Sequence, residues 1–80
     1  MIIEILGTGC PKCKKLEENA REAVKEAGIS AEIKKVTEIG DIIGYGVMTT
    51  PALVIDGKVV SYGKVLKTDE VVRILQKVRG

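Results

Sequence analysis

Apolar positions follow three rhythms along the 80 residues: continuous runs, a spacing of three and four, and loose alternation. Met1–Leu6 (MIIEIL) is a short β-branched run that stops at Gly7, which predicts a strand. Behind Pro11, the residues Cys13, Leu16, Ala20, Ala23, Val24 and Ala27 recur three and four apart. They predict an amphipathic helix that opens at Pro11 and ends at Gly28. Ala31–Val36 alternates imperfectly between apolar and charged residues, as a half-exposed edge strand does. Thr37 is the expected N-cap of a short helix carrying Ile39, Ile42 and Ile43 and closing near Gly44 or Gly46. After Pro51, ALVI is an unbroken apolar run suited to a central strand. Asp56-Gly57 signals a two-residue hairpin that returns through Lys58–Ser61. Thr68 is expected to cap a last helix with Val71, Val72, Ile74, Leu75 and Val78 on its apolar stripe.

The order is β-α-β-α-β-β-α, and a right-handed first crossover makes strands one and two parallel. An α/β fold follows, with a four-stranded mixed sheet flanked on both faces by three helices. Residues 1–80 are expected to form a single domain.

Composition supports a folded chain, with 45% hydrophobic and 30% charged residues. Trp and Phe are absent and Tyr45 and Tyr62 are the two aromatics, so the core must be aliphatic. No apolar run nears the roughly 18–20 residues of a membrane span. MIIEIL has no basic leader, and a cytoplasmic protein without membrane contact is expected. Net charge is +2, and the signs alternate along KKLEENAREAVKE. That pattern is a solvated helix face, not a nucleic-acid stripe, so no nucleic-acid partner is expected.

The candidate chemistry lies in GTGCPKCKK, which holds both cysteines of the chain. Cys10 falls where strand passes into helix, and Cys13 one turn further on. Unpartnered N–H groups and the helix dipole favour a thiolate at that junction, and Lys12, Lys14 and Lys15 add positive charge. The Cys10 thiol should therefore titrate below an ordinary cysteine and attack disulfides. Pro11 and Lys12, between the sulfurs, would tune it. Two other readings stand beside this one. A closed zinc site wants four ligands, and the chain has no histidine, although two thiolates can hold Cu(I). The pair could also be small buried residues without chemistry.

With CPKC at a strand-to-helix turn and Thr50-Pro51 before ALVIDGKVV, the chain resembles the thioredoxin superfamily. Within it, the resemblance is to the small redox-active disulfide proteins of about glutaredoxin size, and it covers essentially the whole chain. It implies a thioredoxin-like fold and a cis Thr50–Pro51 bond packed against a Cys10–Cys13 disulfide. That disulfide would serve as the redox centre, with no further cofactor and no metal. Glu4 stands six residues before Cys10, where thioredoxin-like proteins place a buried acid under the resolving cysteine, and is expected to take the Cys13 proton. Pro51 lacks an N–H, so the Thr50 backbone can pair with an extended substrate. Met48, Thr49, Thr50 and the surroundings of Tyr45 would form a shallow apolar docking surface. Two departures matter: Gly9 replaces the tryptophan of thioredoxins, and SYGKV replaces the paired glycines with which glutaredoxins hold glutathione. The expected activity is thiol–disulfide oxidoreduction on a disulfide-bearing protein, by a monomer supplied with electrons by an upstream reductase or a small thiol. A soft-metal (copper or zinc) carrier is the alternative.

Overall fold

A computed structural model of the chain describes residues 1–9 and 11–79. Among these, β1 (Ile2–Leu6), α1 (Pro11–Ala27), β2 (Glu32–Val36), α2 (Ile39–Gly44), β3 (Ala52–Ile55), β4 (Lys58–Tyr62) and α3 (Thr68–Arg79) follow in the expected order. The strands form a four-stranded sheet in the order β2-β1-β3-β4. β1 runs parallel to β2, from Ile2 opposite Glu32 to Leu6 opposite Val36. It runs antiparallel to β3, with Ile3 opposite Ile55 and Leu6 opposite Ala52. The two most apolar strands are therefore the two inner ones, and all four residues of β3 are buried.

Successive side chains of a strand leave on opposite faces. Ile3, Ile5, Leu53 and Ile55 pack on one face against Leu16, Ala20 and Ala23 of α1 and Val71 and Leu75 of α3. Leu6, Ala52 and Val54 pack on the other against Ile42 of α2 and Val47. Leu16 is fully buried, and cutting it to alanine would cost roughly 2–5 kcal/mol. The edge strand β2 carries exposed Lys34 and Lys35, charges that discourage another strand from pairing there.

Local chemistry sets the ends of the elements. Helix α1 opens at Pro11, whose missing N–H would have had no helical partner. It closes on Gly28 at φ +64, with the Gly28 and Ile29 N–H groups bonded to the Lys25 and Val24 carbonyls, both at 3.2 Å. Asp56 and Gly57 take φ of 49 and 84, the left-handed pair of a type I′ turn. The Asp56 carboxylate accepts the Ile2 N–H at 2.8 Å, tying the hairpin to β1. The register shifts between Leu53 and Val54, which leaves Val60 as an extra residue in β4.

Both expected helix caps fall one residue away. Glu38, not Thr37, is the N-cap of α2: it is extended, its carbonyl accepts the Ile42 N–H at 3.0 Å, and no side-chain hydrogen bond among the described residues caps the helix. Thr68 is already helical. The Lys67 carbonyl accepts the Val71 N–H at 3.0 Å, while the Lys67 N–H donates to Glu70 Oε1 at 3.1 Å. A carboxylate reaching back from the first turn thus replaces the expected threonine cap.

Candidate functional site

Strand β1 delivers Gly7 to the head of α1, and the Gly7 N–H donates to the Val36 carbonyl at 2.9 Å. Cys13, in the first turn of α1, is 5% exposed. Its sulfur takes the space that a side chain on Gly7 would need, since a Cβ there would collide with Sγ and lie 3.1 Å from the Cys13 Cβ. The same Cβ would sit 4.0 Å from the Thr50 Cβ. One glycine therefore lets the head of α1 close on the end of β1. Pro11 and Lys12 are exposed on the first turn of α1, which holds no acidic residue. Cys10, the expected nucleophile, lies outside the described residues.

The Thr50–Pro51 peptide is cis, as the resemblance implied. Met48, Thr49 and Thr50 are exposed and Pro51 is buried. The Gly63 N–H donates to the Pro51 carbonyl at 2.9 Å. Gly63 adopts φ +75 and lies so close to Thr49 that a Cβ would meet its Oγ1 at 2.8 Å. Gly63, directly after β4, thus clamps this loop from outside. Beside it runs an apolar groove of ≈ 480 Å³ bordered by Thr8, Ile42, Val47 and Thr50. Ile39, Ile43 and Met48 stand at its rim with 63%, 66% and 95% of their surface exposed.

Glu4, expected beneath Cys13, makes its described hydrogen bond on the sheet face away from α1. Glu4 pairs with Val54 and shares its face with Leu6, the face covered by α2. Helix α1 packs on the face of Ile3 and Ile5 instead. Half-buried Glu4 accepts a hydrogen bond from the Tyr45 phenol at 2.8 Å. That bond, followed by burial and by the charges of Glu4 and Asp41, raises the pKa of Tyr45 above its ordinary value.

The carboxylate that does share a cavity with Cys13 is Glu17, one turn along α1. The cavity is ≈ 50 Å³, and Gly7, Lys35 and Thr37 also line it. Glu17 keeps 13% of its side chain exposed, with Arg21 Nη2 at 2.9 Å and Lys35 Nζ at 3.3 Å. Burial pushes its pKa up, but hydrogen bonds from Arg21 and Lys35 and their charges outweigh that and hold it below the usual carboxylate value. Sequence reasoning had singled out neither Glu17 nor the packing role of Gly7. Glu17's position four residues after Cys13 was the available signal, because that spacing puts two side chains on one helix face.

Among the described residues, no group of three or more His, Cys, Asp or Glu side chains is placed to hold a metal ion. No helix there is long and apolar enough to cross a membrane.

The thioredoxin domain family model matches residues 1–76 of the chain. The chain is 47% identical over 75 residues to a thioredoxin of Methanothermobacter thermautotrophicus, covering 94% of this chain and 97% of that protein. It is 44% identical over 71 residues to a thioredoxin of Methanocaldococcus jannaschii, covering 89% of this chain and 81% of the relative. Identity at this level across most of both chains, on the fold described above, makes the chain a member of the thioredoxin superfamily, the thiol–disulfide oxidoreductases.

Proposed function

We propose that Cys10 and Cys13 form the dithiol of a thioredoxin-type enzyme that reduces protein disulfides. The observation that carries this reading is the burial of the Cys13 sulfur against Gly7 in the first turn of α1, beside Thr50. A second sulfur held inside the helix start is suited to resolving a mixed disulfide made by the first. Cys10 immediately precedes a helix whose first turn bears Lys12 and no acid, surroundings that favour its thiolate.

In the reaction, the Cys10 thiolate attacks one sulfur of the substrate disulfide; a Cys10–substrate bond forms and the other substrate sulfur leaves as a thiolate. The Cys13 sulfur, deprotonated, then attacks Cys10 Sγ, forming the Cys10–Cys13 disulfide and releasing the second substrate thiol. The substrate gains two electrons and the chain loses two, to be restored by an upstream reductase or a small thiol. The intramolecular disulfide is the sole redox group, and no metal takes part. Met48, Thr49 and the Thr50–Pro51 backbone receive the extended substrate, and Pro11 and Lys12 tune the attacking thiolate. The enzyme works as a monomer in the cytoplasm.

Substitution of each cysteine tests the assignment. Cys10→Ser should abolish reduction of a protein disulfide such as insulin, whereas Cys13→Ser should accumulate a mixed disulfide detectable by mass. Undiminished turnover in Cys10→Ser would end this reading. Stoichiometric copper or zinc that survives dialysis, with no reversible two-electron transition in a redox buffer, would replace it with a metal carrier.

A further inference from the structure

An acidic side chain on an inner strand needs a reason, and the fold directs Glu4 away from the sulfur chemistry. Its partner, Tyr45, is the C-cap of α2. The next residue, Gly46, turns the chain at φ +81 with its N–H bonded to the Ile43 carbonyl at 2.8 Å. Val47 is then buried, Met48, Thr49 and Thr50 are exposed, and Pro51 enters β3. The downstream end of this bridge is held by the Gly63–Pro51 hydrogen bond. Its upstream end depends on α2, which is poorly anchored. That helix has six residues, two of them glycines, and Ile42 is its buried residue. A helix so short and glycine-rich has little stability of its own. The Tyr45–Glu4 bond joins its last turn to the middle of the sheet, and a hydrogen bond to a carboxylate is among the stronger single contacts available.

We propose that Tyr45 and Glu4 are a positioning pair that sets the Met48–Thr50 loop for substrate docking and exchanges no proton with Cys13. The proposal rests on the reading of that loop as the docking surface of the Cys10–Cys13 couple. Loss of the pair leaves the sulfurs and their helix in place but lets α2 and the loop wander, so substrate affinity falls while the chemical step persists.

The experiment measures kcat and KM for insulin reduction in the full chain, with a small aromatic disulfide as a second substrate that makes little use of the loop. In Tyr45→Phe and in Glu4→Leu, KM for insulin should rise about three- to tenfold with kcat within about twofold of wild type. The double variant should be no worse than either single one, because both remove the same bond. Glu4→Gln keeps a carbonyl to accept the phenol proton and should behave as wild type. All variants should reduce the small disulfide at the wild-type rate. Amide shifts of residues 46–50 should move in Tyr45→Phe, a readout that holds even if Glu4→Leu folds poorly. The proposal is overturned if insulin KM is unmoved in Tyr45→Phe, or if Glu4→Gln lowers kcat and flattens its pH profile as loss of a proton acceptor would. A wild-type chain that reduces neither disulfide takes the redox reading down as well, whereas an active wild type with unmoved variants defeats the positioning pair alone.

Discussion

Gly7 and Cys13 occupy one space at the head of α1: the volume a side chain would fill at residue 7 is filled by the sulfur at residue 13. Both residues are buried, and α1 cannot back away without lifting Leu16 and Ala20 out of the core. Gly7→Ala should therefore displace Cys13. The expected result is at least about a tenfold loss of disulfide turnover and a stability loss of about 1–3 kcal/mol, typical of overpacking. Insulin reduction and a thermal melt on the same sample measure both. A fully active Gly7→Ala would mean that the close approach is not made in solution.

Glu17 should make the protein acid-sensitive. Its pKa is depressed by Arg21 and Lys35 despite burial, so the folded state holds the ionised form more tightly than the unfolded chain does. The resulting stability is present above the unfolded carboxyl value of about 4.3 and is lost as pH falls through the lower folded value. Melting temperatures from about pH 6 down to about pH 3 should drop more steeply in wild type than in Glu17→Gln. The difference should be modest, because Arg21 and Lys35 are themselves largely exposed.

Tyr45 makes the opposite prediction at the alkaline end. Its raised pKa gives stability that is complete below the unfolded tyrosine value of about 10 and lost as pH rises through the higher folded value. The chain has no tryptophan, so tyrosinate absorbance reads the titration directly. The phenol that disappears in Tyr45→Phe should be one ionising above about 10. If it ionises at or below that value, the bond to Glu4 does not form in solution.

The hairpin is a fourth test, remote from the sulfurs. Asp56 holds a left-handed φ and accepts the Ile2 N–H. Asp56→Ala loses both advantages and should cost about 1–3 kcal/mol. Asp56→Asn keeps an acceptor and a residue tolerant of that φ, and should cost less, with activity unchanged in both. Denaturant melts decide the order.

Where one rule acted on one segment, the fold could be read directly. Spacings of three and four marked the helices and unbroken apolar runs the inner strands, Pro11 and Gly28 bounded the long helix, and Asp56-Gly57 announced its turn. Caps were less legible because neighbouring polar residues compete: Thr37 and Glu38 both suit the start of α2, and Lys67 with Glu70 displaced Thr68. Of the candidate site, the place of Cys13 in the first helical turn could be read from its position behind Pro11, and the cis Thr50–Pro51 bond from the resemblance. Glu4 was placed by its count of residues from Cys10, but its direction follows from strand alternation and from which face α1 covers. Ile3 and Ile5 already held the α1 face, so an acid between them had to point to the other. Lys35 reaches Glu17 only because β2 folds back alongside β1, a pairing that residue spacing along α1 does not contain.

The chain's two methionines differ sharply in their access to an oxidant such as peroxide. Met1 is partly covered by the aliphatic core, whereas Met48 has 95% of its surface in water at the groove rim. Conversion of that thioether to a sulfoxide would put a polar, branched group where partners are proposed to land. Oxidative wear would then blunt recognition well before it loosened the fold, leaving a protein that melts normally yet engages its clients poorly.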